Sequence, residues 1–292
     1  MNRTSKNYQK QVNDNTCEHH VTKTTNDRHM KIVLLKLSGK ALTEFTTNHH
    51  YINMLHELKE NYDGVIIVHG AGKMISEWSS AMNLTSSFVN GHRKTTKEIM
   101  NVVSAVQGGL TNSTITSFLH AKGFESTGLN GIDRNLFVAE YLNKALGYVG
   151  VPKLSGDVVW LKDLMASDII PVYSSVCRDI DGNLMNVNAD LFAKELAIAL
   201  SADTVLFVSD VEAVKIKGIN MIEMSEHDVK AGIKEGHITD GMIPKLESSI
   251  DLLNNAIKKV WIGNNPTKLK FKSALLNDMG GTWIVETKRV AV

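Results

Sequence analysis

The sequence predicts an α/β fold in which a mostly parallel β-sheet is covered by helices on both faces. Short β-branched runs alternate with longer segments of helical periodicity along the 292 residues. The short runs are apolar at consecutive positions rather than at alternating ones, which is typical of strands whose two faces are both buried. A chain of this length, with 43% hydrophobic residues, can form a full core in one large domain or in two lobes.

The individual elements follow from this pattern in chain order. Apolar runs predict strands at residues 31–36, 64–68, 124–127, 169–172, 204–208, 259–262 and 282–285. Apolar residues that recur every three or four positions predict helices at about 42–60, 73–82, 95–121, 158–167, 189–201, 225–235, 241–257 and 267–276. The segment of about 128–155 breaks the alternation because four glycines stand among its apolar residues. We interpret this segment as hairpins outside the main sheet, in a position to form a flap over a site.

Composition and charge argue against several classes of protein. The 32 basic residues nearly balance the 31 acidic residues, so the net charge of +1 gives no long-range field for nucleic acid or anionic lipid. Only two cysteines occur, Cys17 and Cys177, and no apolar stretch approaches the roughly 18 residues that a membrane span requires. These observations favour a cytoplasmic protein.

Residues 1–29 are almost wholly polar and predict a disordered tail. An oligomerising or regulatory helix is the alternative, but Val12, Cys17 and Val21 do not form a helical stripe. Residues 30–292 therefore contain the whole folded domain.

Two glycine turns near the front of the chain give the first indication of function. Lys36-Leu-Ser-Gly-Lys-Ala41 follows one predicted strand, and His69-Gly-Ala-Gly-Lys73 follows the next. A turn between a strand and a helix aims unpaired N–H groups and the positive end of the helix at one point, which suits an anion. Two such turns predict a site for two anions, such as a nucleotide phosphate and an acceptor. Neither turn matches a P-loop or a GxGxxG fingerprint, so each glycine taken alone is equally compatible with a helix cap.

Four further motifs make the pattern specific: Asn90-Gly-His-Arg93, Asn186-Val-Asn-Ala-Asp190, Ser209-Asp-Val211 and Gly241-Met-Ile-Pro-Lys245. In this order and spacing, the six motifs resemble the acetylglutamate kinase branch of the amino acid kinase family. The resemblance runs over about residues 31–285. Uridylate kinase and aspartokinase share the first glycine turn but lack the Asn-x-Asn-Ala-Asp and Gly-Met-x-x-Lys elements in this form.

The resemblance implies a three-layer αβα sandwich that forms a homodimer. It implies phosphoryl transfer from ATP to the side-chain carboxylate of N-acetyl-L-glutamate, giving an acyl phosphate, in arginine biosynthesis. An N-terminal lobe of about 30–180 would bind the acceptor, and a C-terminal lobe of about 181–292, beginning at an expected Asp181-Gly182 turn, would bind the nucleotide. Mg²⁺ would be carried by ATP without protein ligands. A carboxylate acceptor, with a reference pKa of about 4.3, is already ionised and needs no general base.

The resemblance also implies a role for each motif residue. The catalytic set would be Lys36 and Lys245, which flank the transferred group, with Asp190 holding their ammonium groups. The acceptor would be bound by Gly70, Ala71, Gly72, Arg93, Asn186 and Asn188, with the fork of Arg93 on its α-carboxylate. The nucleotide would be bound by Ser38, Gly39, Ser209, Asp210, Val211, Asp240, Gly241 and Met242, with backbone N–H groups of the first two facing the donor phosphates.

Structural roles compete with these functional ones. Lys36 alone could be a solvated residue at a strand end, and Asp190 could be an acid favoured by the helix dipole. Asn188 is a good N-cap residue. We expect His69 to orient its loop through hydrogen bonds rather than to act in catalysis.

Three residues depart from the family pattern, because Ser38, Ala71 and Asp240 stand where glycines are usual. Ala71 would be strained if its position required a positive φ, and Asp240 adds an anion near the nucleotide. Two alternative functions therefore stay open. One is a kinase for another N-blocked or carrier-bound amino acid, and the other is a nucleotide or amino-acid sensor of the same fold with weakened catalysis.

Overall fold

The computed structural model describes residues 29–89, 91–239, 242–264 and 280–286. Its strands are β1 (Ile32–Leu37), β2 (Gly64–His69), β3 (Phe88–Val89), β4 (His92–Arg93), β5 (Ser126–Asn130), β6 (Phe137–Tyr141), β7 (Val149–Leu154), β8 (Ile170–Ser174), β9 (Val176–Arg178), β10 (Leu184–Val187), β11 (Thr204–Val208), β12 (Lys215–Ile216), β13 (Ile219–Asn220), β14 (Glu223–Ser225), β15 (Lys259–Gly263) and β16 (Thr282–Val285). Its α-helices are α1 (Gly39–Glu44), α2 (His50–Asn61), α3 (Gly72–Ala81), α4 (Lys97–Val103), α5 (Asn112–Ala121), α6 (Val159–Ala166), α7 (Ala189–Leu200), α8 (Glu226–Lys234) and α9 (Ile243–Asn254). A π-helical segment, Ser104–Thr111, joins α4 to α5.

The centre of the fold is an eight-stranded sheet in the order β14-β16-β15-β11-β1-β2-β8-β5. Neighbouring strands are parallel except for β15 and β16, which are antiparallel. A small closed barrel of β10, β7, β6 and β9 lies outside this sheet. The predicted mostly parallel sheet is therefore confirmed.

The two faces of the sheet bury two separate cores. Along β1, Ile32 and Leu34 belong to one cluster, whereas Val33 and Leu35 belong to the other, because successive side chains of a strand point to opposite faces. The first cluster includes side chains of α6, α7, α8 and α9, and the second includes side chains of α1, α2 and α5. This is the αβα sandwich that the sequence predicts. No helix within the described ranges has the length and apolar character needed to cross a bilayer.

All seven predicted strands are present, and β11 and β16 have the predicted bounds. The single helix expected at 42–60 is wrong, because α1 ends at Glu44 and α2 begins at His50. The Asn48 side chain accepts a hydrogen bond from the His50 N–H, and such local bonds compete with the helical ones. The helix expected at 267–276 lies outside the described residues, and so do residues 1–28 of the tail expected at 1–29.

The region of 95–121 is also not one regular α-helix. Its middle turns form the π-helical segment, in which Gly108 and Gly109 lower the preference for α-helix. The interpretation of 128–155 as hairpins outside the main sheet is confirmed for β6 and β7, whereas residues 128–130 belong to β5 of that sheet, and the role as a flap stays a prediction. The β6–β7 hairpin is built into the barrel, and β7 is hydrogen-bonded along β10 with Asn186 opposite Val149.

Candidate active site

A cavity of about 510 Å³ opens where β1 and β2 lead into their glycine turns. The first residues of α3 and α7 contribute to its wall, so the positive ends of two helices face the same space. The wall includes ten residues for which the sequence predicts a role: Lys36, Ser38, Gly39, Gly70, Ala71, Gly72, Arg93, Asn186, Asn188 and Asp190. This arrangement suits an anionic ligand.

Two lysines from distant parts of the chain meet at one carboxylate beside the cavity. Lys36 stands near the end of β1, and its Nζ lies 2.5 Å from Oδ1 of Asp190. Lys245, in the first turn of α9, places its Nζ 3.2 Å from Oδ2 of the same residue. Asp190 itself stands in the first turn of α7. The structure thus brings the three predicted catalytic side chains together.

The electrostatics of this cluster depend on burial. Burial opposes ionisation of Asp190, but the charges of Lys36 and Lys245 and their hydrogen bonds outweigh it and lower its pKa to about 2. Burial also lowers the pKa of Lys36, and the Asp190 carboxylate opposes that shift. Asp190 is therefore ionised throughout the physiological range, and it fixes two ammonium groups at the edge of the cavity.

The first glycine turn is partly engaged within the protein. Gly39 has a φ of +52°, in the left-handed region that favours glycine, and a Cβ at this position would overlap the carboxylate of Asp210. That carboxylate accepts a hydrogen bond of 2.6 Å from the Lys40 N–H. The sequence predicts that the Ser38 N–H faces the donor phosphates. In the structure this N–H donates to the carbonyl of Val208 and is therefore not free for a phosphate. An anionic group already occupies the turn.

The second glycine turn is open. Ala71 has a φ of −155°, so the strain expected from a positive φ does not arise. Ala71 precedes the first residue of α3, and within the described chain the N–H groups of Ala71, Gly72 and Lys73 donate no hydrogen bond. Space also remains above the turn, because a Cβ on Gly72 would meet no atom within 4 Å. These N–H groups are available to an anion in the cavity.

Arg93 is a buried cation in the cavity wall. Its guanidinium donates to the Gly72 carbonyl at 2.8 Å, to Ser76 Oγ at 2.9 Å and to Ser86 Oγ, and it lies over the ring of Phe88. Among the described residues no carboxylate pairs with it. Burial lowers its pKa, but a guanidinium stays protonated in proteins. A buried charge without a counter-ion is costly, so this position favours an anionic ligand.

The two asparagines of the Asn186-to-Asp190 turn have different tasks. Asn188 is the N-cap of α7, and its Oδ1 accepts the N–H groups of Asp190 and Leu191. Asn186 donates one amide hydrogen to Thr95 Oγ1 at 3.0 Å, which leaves its other amide hydrogen for a ligand. The capping role of Asn188 is confirmed, and its side chain also lines the cavity.

Five described residues with predicted roles lie outside the cavity wall: Ser209, Asp210, Val211, Met242 and Lys245. Ser209 and Val211 flank Asp210 just after β11, and Met242 precedes α9. The hydroxyl of Ser209 is buried and has no hydrogen-bond partner among the described residues. Asp240 and Gly241 lie outside the described residues, so their predicted roles stay predictions.

Sequence reasoning missed several polar residues that support the site. Gln107 of the π-helical segment lines the cavity and donates to Ser175 Oγ at 2.7 Å, while Ser175 Oγ donates to the Val187 carbonyl at 2.6 Å. Asn112 and Thr95 are buried as well. The available signal was an amide, Gln107 or Asn112, at a position where the helical pattern calls for an apolar residue.

Comparisons with known proteins find relatives over most of the chain. A model of the amino acid kinase family matches residues 31–264. An acetylglutamate kinase of Geobacillus stearothermophilus is 33% identical over 263 residues, which are 90% of this chain and 98% of that protein. One of Ruegeria pomeroyi is 34% identical over 233 residues, 79% of this chain and 80% of that protein. The solved structure of smu.665 from Streptococcus mutans has a TM-score of 0.75 at 26% identity, over 88% of this chain and 99% of that one.

Proposed function

We propose, from the premise that this chain belongs to the amino acid kinase family, that it phosphorylates the side-chain carboxylate of N-acetyl-L-glutamate with ATP. The chain is then an acetylglutamate kinase of arginine biosynthesis, a transferase that forms an acyl phosphate. The relatives that carry this name cover most of the chain, and they support this function over the alternative acceptors and the sensor role. The single observation that carries the mechanism is the convergence of Lys36 and Lys245 on Asp190.

The acceptor is a dianion, and the cavity offers a cationic or N–H partner for each carboxylate. Arg93, which has no carboxylate partner among the described residues, takes the α-carboxylate through its planar fork. The open N–H groups of Ala71 and Gly72 receive the side-chain carboxylate and the transferred phosphoryl group. Asn186 donates its remaining amide hydrogen to the α-carboxylate or to the acyl amide.

Phosphoryl transfer spreads negative charge over the oxygens of the moving group, and catalysis consists of positioning and charge stabilisation. Lys36 and Lys245 supply that charge, and Asp190 keeps their two ammonium groups together against their mutual repulsion. At about 4 Å and an effective dielectric constant of about 20, each lysine interacts with a unit charge by roughly 4 kcal/mol before desolvation. The interaction energy of two such contacts is large compared with the roughly 1.4 kcal/mol that changes a rate tenfold.

No general base takes part in this mechanism. The buried imidazole of His69 lies behind the second glycine turn, and burial lowers its pKa to about 4, so it is neutral at physiological pH. The acceptor carboxylate is ionised at the same pH and attacks without losing a proton.

ATP brings Mg²⁺ with it, bound largely by phosphates and water. Ser38, Gly39, Ser209 to Val211 and Met242 form the nucleotide side of the site, and the buried Ser209 hydroxyl has no hydrogen-bond partner there among the described residues. The Asp210 carboxylate, which accepts the Lys40 N–H, lies at the first glycine turn on this nucleotide side. The enzyme is a cytoplasmic homodimer in this proposal.

The test is an assay of the purified chain with ATP, Mg²⁺, N-acetyl-L-glutamate and hydroxylamine, which traps an acyl phosphate as a hydroxamate. We expect hydroxamate from wild type and a loss of roughly 100-fold or more in Lys36→Met. Lys59→Met is the matched control, because Lys59 pairs with the exposed Asp168 away from the cavity. The proposal would be ruled out if the purified chain binds nucleotide but forms no hydroxamate from N-acetyl-L-glutamate at any pH tested.

A further inference from the structure

A buried imidazole and a buried amide lie beneath the second glycine turn. The His69 ring is fully buried, and Asn112, the first residue of α5, is 4% exposed. Nδ2 of Asn112 lies 3.1 Å from Nε2 of His69, and Nδ1 of His69 lies 3.0 Å from the Gly70 carbonyl oxygen. A chain of polar contacts therefore runs from α5 to the turn.

The partners of Asn112 decide where the proton of His69 sits. Nδ2 also lies 2.8 Å from the Val172 carbonyl and 3.2 Å from the Leu129 carbonyl. Carbonyl oxygens only accept, so this atom is the NH₂ group of the amide. The Gly70 carbonyl beside Nδ1 also only accepts, so Nδ1 of His69 carries the proton, and the unprotonated Nε2 faces the NH₂ group, whose two hydrogens are shared among Nε2 and the two carbonyls. The Nδ1–H then donates to the Gly70 carbonyl.

This bond fixes the direction of one peptide plane. In a trans peptide the C=O and the following N–H point in opposite directions, and the described chain contains no cis bond. With its C=O bound to the buried ring, the peptide between Gly70 and Ala71 points its N–H away from His69. Gly70 and Ala71 line the cavity, whereas His69 does not. The Ala71 N–H therefore points away from the buried ring, at a turn that lines the cavity.

Two further features make room for Asn112. Gly128 of β5 lies against it, and a Cβ there would come within 2.0 Å of Oδ1 of Asn112. The π-helical segment ends one residue before Asn112. A π-turn closes i→i+5 hydrogen bonds, so residues five apart lie on one face of the segment. Gln107 and Asn112 are such a pair, and a regular α-helix would place them on different faces. Gln107 then reaches Ser175 beside the Asn186-to-Asp190 turn, while Asn112 reaches His69.

We propose that Asn112 is a positioning residue for phosphoryl transfer, which acts through the proton of His69 to hold the Ala71 N–H toward the reacting oxygen atoms. This inference rests on the proposed function for the identity of those atoms. Asn112 does not line the cavity. Its effect is the orientation of a donor whose aim matters only when charge develops on the phosphoryl group.

The first readout is the position of the His69 proton, measured by ¹⁵N NMR of histidine-labelled protein. The His69 signal is identified by its loss in His69→Asn. We expect wild type to carry the proton on Nδ1. Asn112→Asp replaces the donor with an acceptor, so the proton should move to Nε2 and the bond to Gly70 should be lost. Asn101→Asp, the same change at an exposed position of α4, should leave the signal unchanged.

The second readout is kinetic. Asn112→Asp should lower kcat by roughly tenfold to hundredfold, as expected for a misaimed donor, and leave the KM for ATP unchanged. His69→Asn retains a donor near the Nδ1 position and should keep kcat well above that of His69→Leu, which retains none. This second pair keeps the proposal testable if Asn112→Asp fails to fold.

A wild-type proton on Nε2 overturns the proposal. So does a wild-type kcat in Asn112→Asp, or equal kcat values in His69→Asn and His69→Leu, because a merely structural role changes thermal stability alone. If wild type makes no hydroxamate, the proposed function fails on its own. The tautomer, together with the response of the Ala71 amide signal to added N-acetyl-L-glutamate, still decides the positioning role in that case.

Discussion

Replacing Asp190 with asparagine tests the charge cluster directly. The carboxylate contacts Lys36 Nζ at 2.5 Å and Lys245 Nζ at 3.2 Å, and these cations lower its pKa from 3.8 to about 2. A shift of nearly two units corresponds to about 2 to 3 kcal/mol in favour of the ionised carboxylate. The substituted amide would keep the shape of the side chain but leave two ammonium groups facing each other. We expect kcat to fall by roughly 100-fold or more and unfolding free energy to fall by about 1 to 3 kcal/mol.

The direction of the pKa shift of Asp190 determines how its contribution to folding stability changes with pH. A carboxylate whose folded-state pKa lies below its unfolded value stabilises the protein above the unfolded pKa, and this contribution is lost as the pH falls through the folded pKa. For Asp190 the window therefore lies between about pH 4 and pH 2. Urea unfolding of wild type should show a loss of stability in this window that is smaller in Asp190→Asn.

The assay compares hydroxamate formation and urea unfolding for wild type, Asp190→Asn and Asp251→Asn. Asp251 is a matched control, because it pairs with Lys194 at 2.6 Å on a more exposed surface and is not part of the site. The control should keep its kcat, since an exposed ion pair contributes about 1 kcal/mol or less. A wild-type kcat in Asp190→Asn would refute the idea that the carboxylate organises the two lysines.

Three further substitutions probe separate parts of the site. Arg93→Lys keeps the charge but loses the planar fork, so the KM for the acceptor should rise roughly tenfold or more while the KM for ATP stays unchanged. An equal rise in both constants would contradict the assignment of Arg93 to the α-carboxylate of the acceptor. Gly39→Ala puts a Cβ against the Asp210 carboxylate at a φ of +52° and should raise the KM for ATP, whereas unchanged nucleotide binding in calorimetry would separate this turn from the nucleotide. Gln107→Leu breaks the bond to Ser175 and should raise the KM for the acceptor severalfold at constant thermal stability; an unaffected KM would leave Gln107 a packing residue.

The central features were predictable because they depend on local patterns. Continuous apolar runs place the strands, and a parallel sheet brings the turns after β1 and β2 to one edge. The break before α2 escaped prediction because it depends on one side chain, Asn48, that bonds to the backbone two residues later. The π-helical segment has no periodic signature of its own, and within it Gln107 bonds to Ser175, a residue distant in sequence.

The residues of the two glycine turns show more clearly what the sequence alone cannot predict. Ala71 looked strained because a glycine was expected there, yet its position before α3 needs no left-handed backbone. Gly39 does need one, and a sequence pattern cannot distinguish these two cases. Likewise, the sequence predicts a nucleotide role for Asp210 but not its contact with the first glycine turn. Its carboxylate accepts a hydrogen bond from the Lys40 N–H, a contact made possible by the pairing of β1 with β11.

The balance of charge around the cavity explains why this arrangement suits a carboxylate acceptor. Lys36, Lys245 and Arg93 bring three cations to the site, and Asp190 neutralises only part of that charge. The open N–H groups after β2 add partial positive charge in the same space. Such a surplus is stable only when anions fill it, which the donor phosphates and a dianionic acceptor do. The same surplus holds the two anions near each other against a repulsion that opposes the transfer of a phosphoryl group between them.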